Sequence, residues 1–565
     1  MANHHARKFW VLDSETDPFK YQRIPKPFIW GVYTGEDYFE FETAGQMIDF
    51  LRDKDIVIYA HNGGGFDYHF IKDYFEPGEM LVINGRLSKF KIGLCEFRDS
   101  YNIIPTSLDK FYKTKIDYSK FESHCREKYM GEIRRYLKSD CINLYEMVKR
   151  FREDYGIYIT QASAAMSIWS KMSGRSSPKS SATFYDEIHP YYYGGRVQCF
   201  EAGDFTGKFQ SYDINSAYPY AMLHEHPIAI DGGQCMGLPK NMAMGPCFFE
   251  VTCLSEGAFP YRAKDNSLYF PDWRVEGAVL RKYFVSGWEL KAAIDTNTIK
   301  NITIGLCHYF NEVTHFKMYV DRFWEQKFIA KETIKLHPRN MDAKAKLNSS
   351  KLFLTSLYGK FGANPRTYEK SVFHLNSEED YREPLLTGVS VDNYGKGFFT
   401  YHPSEDPNMR FYNLATAASI TGFVRAHLWR HILKANGPVY CDTDSITARS
   451  FSGFDLGSGI GQWEKEGEYD RIVIGGKKLY AMHHAGEDQQ DKHWKKASKG
   501  VKITAKQIIQ IAAGDTVTYY PIAPTFSIKR TEPIFTPRQV RITARDIRKI
   551  PEKIDPLLNP AEIAA

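Results

Sequence analysis

Two acidic residues lie at the tip of a predicted β-hairpin late in the chain. Asp442 and Asp444 flank Thr443, and apolar residues alternate on both sides, which predicts two strands joined by a tight turn. Metal-assisted phosphoryl transfer uses two cations about 3.5–4 Å apart, held by carboxylates from more than one segment. Asp213 ends another predicted strand and can supply the further carboxylate. These acids therefore predict a two-metal site for phosphoryl transfer.

The turn after Asp213 carries groups that could hold a nucleotide beside such metals. Ser216 and Tyr218 lie in the segment Asp-Ile-Asn-Ser-Ala-Tyr-Pro, which would present backbone groups and the Tyr218 ring to the metal-bound ligand. We expect this ring to stack under a sugar. A ring in that position blocks a 2′-hydroxyl, the group by which proteins distinguish ribose from deoxyribose, so the turn favours deoxynucleotides.

A predicted helix offers a cation and an aromatic ring on one face. Lys351, Thr355 and Tyr358 recur with helical spacing, and we expect Gly359 and Gly362 to end the helix. Lys351 can neutralise a triphosphate as a point charge, while Tyr358 packs on the incoming base or sugar. This face therefore predicts a nucleotide-binding helix.

A second set of acids near the N-terminus could hydrolyse a phosphodiester. Asp13 and Glu15 alternate on a predicted strand, so both project from one face and can share a metal ion. Asp67 follows a strand and a glycine-rich turn. Tyr136 and Asp140 lie one helical turn apart, so the phenol could orient an attacking water beside the carboxylate. The four acids predict a nuclease site.

Periodic segments and breaks predict the elements that position these residues. Residues 9–12 and 56–60 are short apolar runs typical of buried strands in an α/β domain. Residues 173–181 are polar and rich in serine, which indicates a domain boundary. Residues 376–408 are typical of an inserted hairpin or loop. Residues 411–436 predict a long helix that leads into the hairpin of the paired acids.

Composition excludes several other classes of protein. The chain has 565 residues, 43% of them hydrophobic, enough for roughly three to five folded units. Its net charge is +6, and basic residues after position 477 could line a polyanion track. Nine cysteines without a CxxC pair argue against a disulfide framework and a zinc knuckle. Without a signal peptide or a membrane-length apolar stretch, we expect a soluble, cytoplasmic protein, in the host cytoplasm if a phage encodes it.

The three polymerase-type motifs resemble those of family B DNA polymerases in type and order. Residues 213–219 resemble motif A, residues 351–359 resemble motif B, and residues 440–445 resemble motif C. Each motif alone is weak, because paired acids on a turn are usually solvated and a Lys/Tyr stripe is more often surface and core. The ordered set of all three carries the resemblance.

Residues 12–16, 60–67 and 136–140 resemble motifs Exo I, II and III of DnaQ-like proofreading nucleases. All four acids are present, so we expect an active 3′–5′ exonuclease. Aromatic stacking on a base contributes about 1–3 kcal/mol to single-strand binding. The resemblance implies single-strand contacts at Thr16, Asn62, Phe66, Ser100 and Lys113, with Ser107 as the alternative to Ser100.

Two further elements narrow the resemblance to protein-primed polymerases of small linear-genome phages, the tectivirus type especially. One is a YxGG element at residues 192–195, and the other is a KxY element at residues 478–480. The segment between Asp213 of motif A and Lys351 of motif B is also long. Thr355 stands where motif B usually has Asn, and Ala217 where motif A often has Leu, so nucleotide affinity or fidelity could differ. The implied DNA contacts are Tyr192, Gly194, Gly195, Thr355, Lys478 and Tyr480.

The resemblance implies the fold class, the cofactors and the partners. We expect an α/β multidomain chain with an RNase H-like exonuclease domain before a right-hand polymerase. Each active site would hold two Mg²⁺ ions, with Mn²⁺ as an alternative. The substrates would be dNTPs and the partners template-primer DNA and a terminal priming protein, with no membrane and a monomeric enzyme. The expected order is exonuclease (1–175), linker and first palm segment on an antiparallel sheet (176–260), priming-protein insertion (261–318), helical fingers (319–365), strand-displacement insertion (366–410), second palm segment (411–482) and thumb (483–565).

Three alternatives remain open from the sequence. A catalytically inactive DNA-binding homologue would keep basic and aromatic surfaces but lose acids, and the intact carboxylates argue against it. A dedicated exonuclease whose C-terminal half only grips DNA is disfavoured by motif C together with Lys351. Initiation could use a nucleic-acid primer, a protein hydroxyl or no primer.

Overall fold

The computed structural model describes residues 7–108, 115–240, 242–338, 340–367, 372–375, 390–395, 397–402, 410–530 and 532–543. Its first part alternates strands with helices, as predicted for an α/β domain. Apolar side chains explain the central strands, since Val11, Leu12 and Ile58 are fully buried. The elements are β1 (Phe9–Thr16), β2 (Pro27–Tyr33), β3 (Tyr38–Phe41), α1 (Ala44–Leu51), β4 (Val57–Ala60), β5 (Gly78–Ile83), β6 (Arg86–Ile92), β7 (Cys95–Asp99), α2 (Arg126–Tyr155) and α3 (Gln161–Ser173).

The middle of the chain consists of antiparallel strands, short helices and one pair of long helices. Caps define several helix starts; Ser286 and Glu289, for example, cap α7 reciprocally. The elements are α4 (Ala182–Ile188), β8 (Val197–Cys199), β9 (Gly203–Ile214), α5 (Ala217–Ala221), β10 (His226–Pro227), β11 (Gly232–Met236), β12 (Phe248–Ser255), β13 (Tyr261–Arg262), β14 (Leu268–Tyr269), α6 (Trp273–Glu276), β15 (Arg281–Ser286), α7 (Gly287–Asp295), β16 (Ile299–Phe310), β17 (Val313–Thr314), α8 (Lys317–Leu336) and α9 (Met341–Phe361).

The last part returns to strands around one buried helix. The helix predicted within residues 411–436, and the hairpin after it, are confirmed. The elements are β18 (Val372–His374), β19 (Ser390–Asn393), β20 (Phe398–His402), α10 (Leu414–Ile432), β21 (Asn436–Asp442), β22 (Ser445–Ser450), β23 (Trp463–Gly476), β24 (Leu479–His484), β25 (Trp494–Ser498), α11 (Ala505–Ala512), β26 (Val517–Tyr519) and β27 (Arg538–Val540).

A mixed sheet forms the core of the N-terminal domain. Its order is β19-β20-β18-β5-β6-β7-β4-β1-β2-β3, with β1 parallel to β4 and β4 parallel to β7. Helix α2 packs on β1 and β2 through residues buried at helical spacing, among them Leu137 and Leu144. Gly156, with a φ of 99°, ends α2 in a conformation that glycine adopts readily.

Strands from the predicted second insertion extend this same sheet. Val372 of β18 lies opposite Met80 of β5, and Val372 and Phe398 are buried in the N-terminal core. The segment 366–410 is therefore attached to the N-terminal domain by strand pairing in its described portion. Residues 376–389, 396 and 403–408 of the predicted hairpin or loop lie outside the described residues.

A separate four-stranded sheet, β11-β16-β12-β15, carries α7 after its edge strand β15. Strands β11 and β12 precede residue 261, so the predicted boundary between palm and first insertion falls inside this sheet. Alternating burial explains the register of β12, in which Phe249 and Val251 are fully buried. Helix α7 then packs on α10.

The sheet that contains the predicted palm strands is seven-stranded and antiparallel, of order β25-β24-β23-β9-β22-β21-β8. Strand β9 lies between β23 and β22, so Asp213 faces Glu464 on one side and Ser445 on the other. Strands β24 and β25 belong to this sheet, which therefore continues past the predicted thumb boundary at residue 482. The antiparallel palm agrees with the predicted fold class.

Helices α8 and α9 form a packed pair that rests on the N-terminal domain. The ring centroids of Tyr155, near the end of α2, and Phe353 of α9 are 4.4 Å apart. Trp169 of α3 contacts Phe361 at 5.7 Å. The nucleotide-binding helix predicted from Lys351 is thus supported by helices from another domain. Among the described residues, no helix is long and apolar enough to span a bilayer.

Candidate active sites

Three carboxylates converge where β1 meets the middle of α2. Asp13 and Glu15 project from one face of β1, and Asp140 reaches them from α2. Their oxygen atoms lie within 4.8 Å of one another, and no other trio of acidic, histidine or cysteine side chains in the described part of the chain is as close. Burial, followed by the charges of Asp67, Glu15 and Asp140, raises the pKa of Asp13 well above its usual value. Such mutual repulsion favours a divalent cation between the oxygens.

The donor set at this trio fits Mg²⁺ or Mn²⁺. The ligand atoms are all carboxylate oxygens, which these hard cations prefer. Cys141 lies beside Asp140 on α2, but burial and then the charge of Asp13 raise the pKa of its thiol well above its usual value. The thiol therefore stays protonated and cannot serve as a soft thiolate ligand.

Asp67 lies beside the trio rather than in it. It begins a 3₁₀ turn (Asp67–Tyr74) after the glycine-rich segment, and the Ser14 hydroxyl donates to its Oδ1 at 2.5 Å. Burial raises the pKa of Asp67 to about 6, while the bond from Ser14 acts in the opposite direction. Its charge is close enough to raise the pKa of Asp13. Asp67 is therefore placed to hold a second cation shared with Asp13.

Tyr136 occupies the position expected of a water-orienting phenol. It precedes Asp140 by one turn of α2, and its hydroxyl lies 3.1 Å from that of Tyr118. Burial raises its pKa, with further contributions from the Tyr118 hydrogen bond and the charge of Asp140. The phenol consequently remains protonated and can donate a hydrogen bond beside the carboxylates.

Three of the residues predicted to contact a single strand are Thr16, Asn62 and Phe66, and each has a partner within the protein. The Thr16 hydroxyl donates to the Asp17 carbonyl at 3.1 Å. Asn62 has a φ of 65° and accepts from Arg86 at 2.5 Å. The half-buried Phe66 ring packs edge-on against Phe526 from the C-terminal part, with centroids 5.5 Å apart. These side chains are only partly exposed, and the contact with Phe526 shows that the Phe66 ring also packs within the protein.

Ser100 requires a correction. Its side chain is fully buried, donating to the Ala60 carbonyl at 3.1 Å and lying 3.1 Å from His61 Nδ1. A strand of DNA cannot reach a hydroxyl that no water can touch, so the preference for Ser100 over Ser107 was wrong. Ser107 is exposed. Lys113, the other predicted contact in this region, lies outside the described residues.

The polymerase-type acids meet at the end of the palm strands. Asp442 ends β21, Thr443 and Asp444 form the two-residue turn to β22, and Ser445 lies opposite Asp213. Burial and then the charge of Asp444 raise the pKa of Asp213 to about 8. Burial and then the charge of Asp442 raise the pKa of Asp444 to about 6. These neighbouring, partly buried oxygens fit hard divalent cations as the N-terminal trio does.

Two residues predicted to contact DNA border this turn. Lys478 forms an ion pair with Asp442 at 2.5 Å, and its backbone N–H donates to the Tyr440 hydroxyl at 3.0 Å. The Tyr480 ring packs on Tyr440 with centroids 5.0 Å apart. The Lys478 side chain is more exposed than that of Asp442, with which it is paired.

Glu464 and Glu466 join the polymerase site from β23, and sequence reasoning missed them. Glu464 lies opposite Asp213 in the sheet, and an irregularity in the pairing falls between Lys465 and Gly467. Glu466 accepts from Ser211 at 3.0 Å and is ion-paired with Lys495 at 2.6 Å. Its charge contributes to the raised pKa values of Asp213 and Asp444. The available signal was two acids alternating on a strand, the same pattern that identified Asp13 and Glu15.

The residues predicted to bind a nucleotide lie near these acids, since the charge of Asp444 acts on Tyr218. The rings of Tyr218 and Tyr358 stack with centroids 4.2 Å apart and planes 6° apart. Ser216 accepts a hydrogen bond from Lys327 Nζ at 3.0 Å. Burial and then the charge of Lys351 lower the pKa of Lys327 to about 8. Lys327, on α8, was not predicted, because a lysine among the many on that helix carries no distinguishing pattern.

Motif B is one helix, but its end differs from the prediction. Gly359 lies inside α9, which runs to Phe361 and is capped at Gly362. A Cβ on Gly362 would lie 2.5 Å from the Tyr192 hydroxyl, so close packing explains this glycine. Thr355 is exposed, and its hydroxyl donates to the carbonyl of Lys351 at 3.1 Å. The Thr355 hydroxyl thus bonds within its own helix.

The predicted YxGG element connects the motifs. A Cβ on Gly195 would lie 2.7 Å from Thr443 Cγ2, so the loop packs on the acid turn. The carbonyls of Tyr193 and Gly194 accept from Arg425 Nη1 at 2.7 and 2.8 Å. Gly194 is exposed, with open space where a Cβ would be. The element therefore lies between α9, α10 and the acid turn.

Comparison with known proteins agrees with this geometry. The chain matches the family described as DNA polymerase type B, organellar and viral, over residues 48–131 and 111–395. The DNA-directed DNA polymerase of Enterobacteria phage PRD1 is 36% identical over 521 residues, 89% of this chain and 87% of the relative. A probable DNA polymerase of Neurospora intermedia is 24% identical over 477 residues, 69% of this chain and 47% of that protein.

The fold is similar to that of Phi29 DNA polymerase complexed with primer-template DNA and incoming nucleotide substrates. The TM-score is 0.70 at 17% identity, covering 95% of this chain and 100% of the other. This similarity confirms the predicted fold class, and the family match confirms the resemblance predicted from the motifs. The chain therefore belongs to the type B DNA polymerases of the organellar and viral kind, and it is a DNA-directed DNA polymerase.

Proposed function

We propose that this polymerase also proofreads, using two separate carboxylate sites that each hold a pair of Mg²⁺ or Mn²⁺ ions. The observation that carries the proposal is the duplication of acid clusters. One is the trio Asp13, Glu15 and Asp140 with Asp67 beside it, and the other is Asp213 with the turn of Asp442 and Asp444. Synthesis adds a nucleotide to the primer 3′ end and proofreading hydrolysis removes one. Two separate sites would allow one enzyme to perform both reactions.

At the polymerase site, the chain would bind and orient the reacting groups. Asp213, Asp442 and Asp444 would hold the ions, which supply charge neutralisation and activation of the primer 3′-oxygen when bound. Lys351 and Lys327 would bind the triphosphate, and Ser216 would fix Lys327. The Tyr218 ring, stacked on Tyr358, would underlie the sugar and exclude a 2′-hydroxyl.

At the exonuclease site, the chain would hold a frayed primer end and a water molecule. Tyr136 remains protonated and would donate to the attacking water beside Asp140. Phe66 and Asn62 would contact the unpaired strand, as would Thr16. Ser14 would keep Asp67 ionised through the bond at 2.5 Å.

Primer extension on a recessed duplex tests both sites together. Wild type, Asp442→Asn and the double variant Asp13→Ala/Glu15→Ala are compared with Mg²⁺ and dNTPs, and again without dNTPs. We expect extension to be lost only in Asp442→Asn and degradation only in the double variant. Degradation that survives in the double variant would refute the exonuclease assignment. Absence of extension by the wild-type enzyme would instead favour a dedicated exonuclease or an inactive DNA-binding homologue.

We further propose that the enzyme replicates a linear genome by protein-primed initiation and strand displacement. The sheet of β11, β12, β15 and β16, absent from a plain palm, supports a priming-protein surface. The pairing of β18 with β5 supports a fixed strand-separating element. The candidate priming protein, labelled dNTP and the polymerase should yield a covalent protein–dNMP product that Asp442→Asn does not form. Failure with every candidate partner would leave a nucleic-acid primer, or no primer, as the alternative.

A further inference from the structure

A buried ion pair joins α7 to α10 behind the polymerase turn. Glu289 accepts from Arg425 Nε at 2.7 Å through Oε1 and from Nη2 at 3.1 Å through Oε2. The two side chains are only 1% and 2% exposed. Ser286 fixes the same carboxylate, because its backbone N–H and its hydroxyl donate to Oε2 at 3.1 and 2.8 Å. Gly422 permits this approach, since a Cβ there would overlap the Ser286 hydroxyl.

The other side of the Arg425 guanidinium holds the loop of Tyr192 to Gly195. Its Nη1 donates to the carbonyls of Tyr193 and Gly194 at 2.7 and 2.8 Å. A guanidinium is a rigid planar fork, so the two bonds to Glu289 set the direction of the bonds to the loop. A lysine could not reach both partners in this geometry. Arg425 therefore transmits the position of α7 to the loop.

The loop in turn packs on the catalytic turn. A Cβ on Gly195 would lie 2.7 Å from Thr443 Cγ2. The Thr443 N–H donates to the carbonyl of Arg196 at 2.7 Å. Thr443 has a φ of 64°, which is unfavourable for a β-branched residue. Contacts from outside the hairpin are thus needed to hold the turn that carries Asp442 and Asp444.

We propose that Glu289 is a positioning residue for nucleotide addition. It orients Arg425, which fixes the loop that holds the Thr443 turn, and so it sets where Asp442 and Asp444 present their oxygens. The proposal rests on the proposed role of these two acids as metal ligands. It gives the segment between motifs A and B a mechanical connection to the catalytic centre, because α7 lies in that segment.

Glu289→Gln tests the proposal in an Asp13→Ala/Glu15→Ala background, where the N-terminal cluster has lost two of its four acids. Hydrogen–deuterium exchange is measured for residues 192–199 and 440–446, and single-nucleotide addition is measured over a range of Mg²⁺ concentrations. Glu276→Gln is the matched control, since Glu276 pairs with Arg281 of β15 and both side chains are nearly as buried, 5–6% exposed. Binding of Mn²⁺ to the metal-free protein is followed by electron paramagnetic resonance.

We expect Glu289→Gln to speed exchange in both peptides, to weaken Mn²⁺ binding and to raise the half-saturating Mg²⁺ concentration about tenfold. Glu276→Gln should show the same exchange rates, Mn²⁺ binding and half-saturating Mg²⁺ concentration as the Asp13→Ala/Glu15→Ala enzyme. A purely structural role would lower the amount of active enzyme without moving the Mg²⁺ dependence, and that result would overturn the proposal. Should Glu289→Gln not fold, Glu289→Asp, which keeps the charge but shortens the reach, is judged by the same readouts. Activity that survives in Asp442→Asn would instead refute the metal-ligand assignment.

Discussion

Replacing Lys327 by glutamine tests the proposed triphosphate site directly. Its Nζ donates to Ser216 Oγ at 3.0 Å, and burial and then the charges of Lys351 and Lys331 lower its pKa to about 8. Cations this close to one another repel, and a polyanion relieves that repulsion when it binds. Lys327→Gln keeps a hydrogen-bond donor of similar length but removes one positive charge from the proposed triphosphate site.

The expected loss follows from the energy of one charge-assisted contact. A hydrogen bond from a charged donor contributes about 1.5–3 kcal/mol, and the coulombic attraction at 4 Å is about 4 kcal/mol at an effective dielectric constant near 20. Lys327 is only partly buried, so solvent screening reduces the latter. A loss of about 2 kcal/mol, or roughly 30-fold in kcat/KM for dNTP, is expected.

Single-nucleotide addition at several dNTP concentrations and pH values measures this loss. Because the free enzyme's Lys327 loses its charge as the pH rises through about 8, kcat/KM of wild type should fall on the alkaline side, and Lys327→Gln should lack that limb. Lys335→Gln is the control, since Lys335 lies on the same helix but is exposed and paired with Glu332. A kcat/KM of Lys327→Gln within about twofold of wild type at pH 7 would refute the triphosphate assignment.

Three further predictions concern the proposed exonuclease site, the packing of α2 on α9 and the metal-free enzyme. Ser14→Ala removes the hydrogen bond that lowers the pKa of Asp67. The acidic limb of the exonuclease pH–rate profile should therefore move to higher pH, and a limb at the wild-type position would contradict this prediction. Tyr155→Ala removes a buried ring that contacts Phe353 and should lower the free energy of unfolding by about 3–5 kcal/mol in denaturant titrations, whereas Tyr155→Phe should change it little. The pKa of Asp213 in the folded state, about 8, lies above the usual value of 3.8 for an aspartate. The folded state therefore binds more protons than the unfolded state between these values, and the stability of the metal-free protein should fall as pH rises from 4 to 8. Thermal unfolding should show that Mg²⁺ offsets this loss of stability. It should also show that the stability of Asp213→Asn depends less steeply on pH than that of wild type.

Local spacing in the sequence was enough to predict much of the chemistry. Alternation on a strand placed Asp13 and Glu15 on one face, and one helical turn placed Tyr136 beside Asp140. Both patterns depend only on the fixed period of a strand or helix, so they hold in any fold that forms these elements. The same reasoning could have found the pair Glu464 and Glu466 on β23.

Long-range packing decided what local spacing could not. Only the fold showed that Ser100 is buried beneath the site, that Lys327 faces Ser216, and that β18 pairs with β5.

The sequence by itself therefore determined which chemical groups exist, their order and which of them share a face of one element. The tertiary structure alone decided which faces meet. Loop closure and burial join segments hundreds of residues apart, as Arg425 joins Glu289 to the loop of Tyr193. No local period encodes such a contact, because its geometry depends on the packing of every element between the two segments.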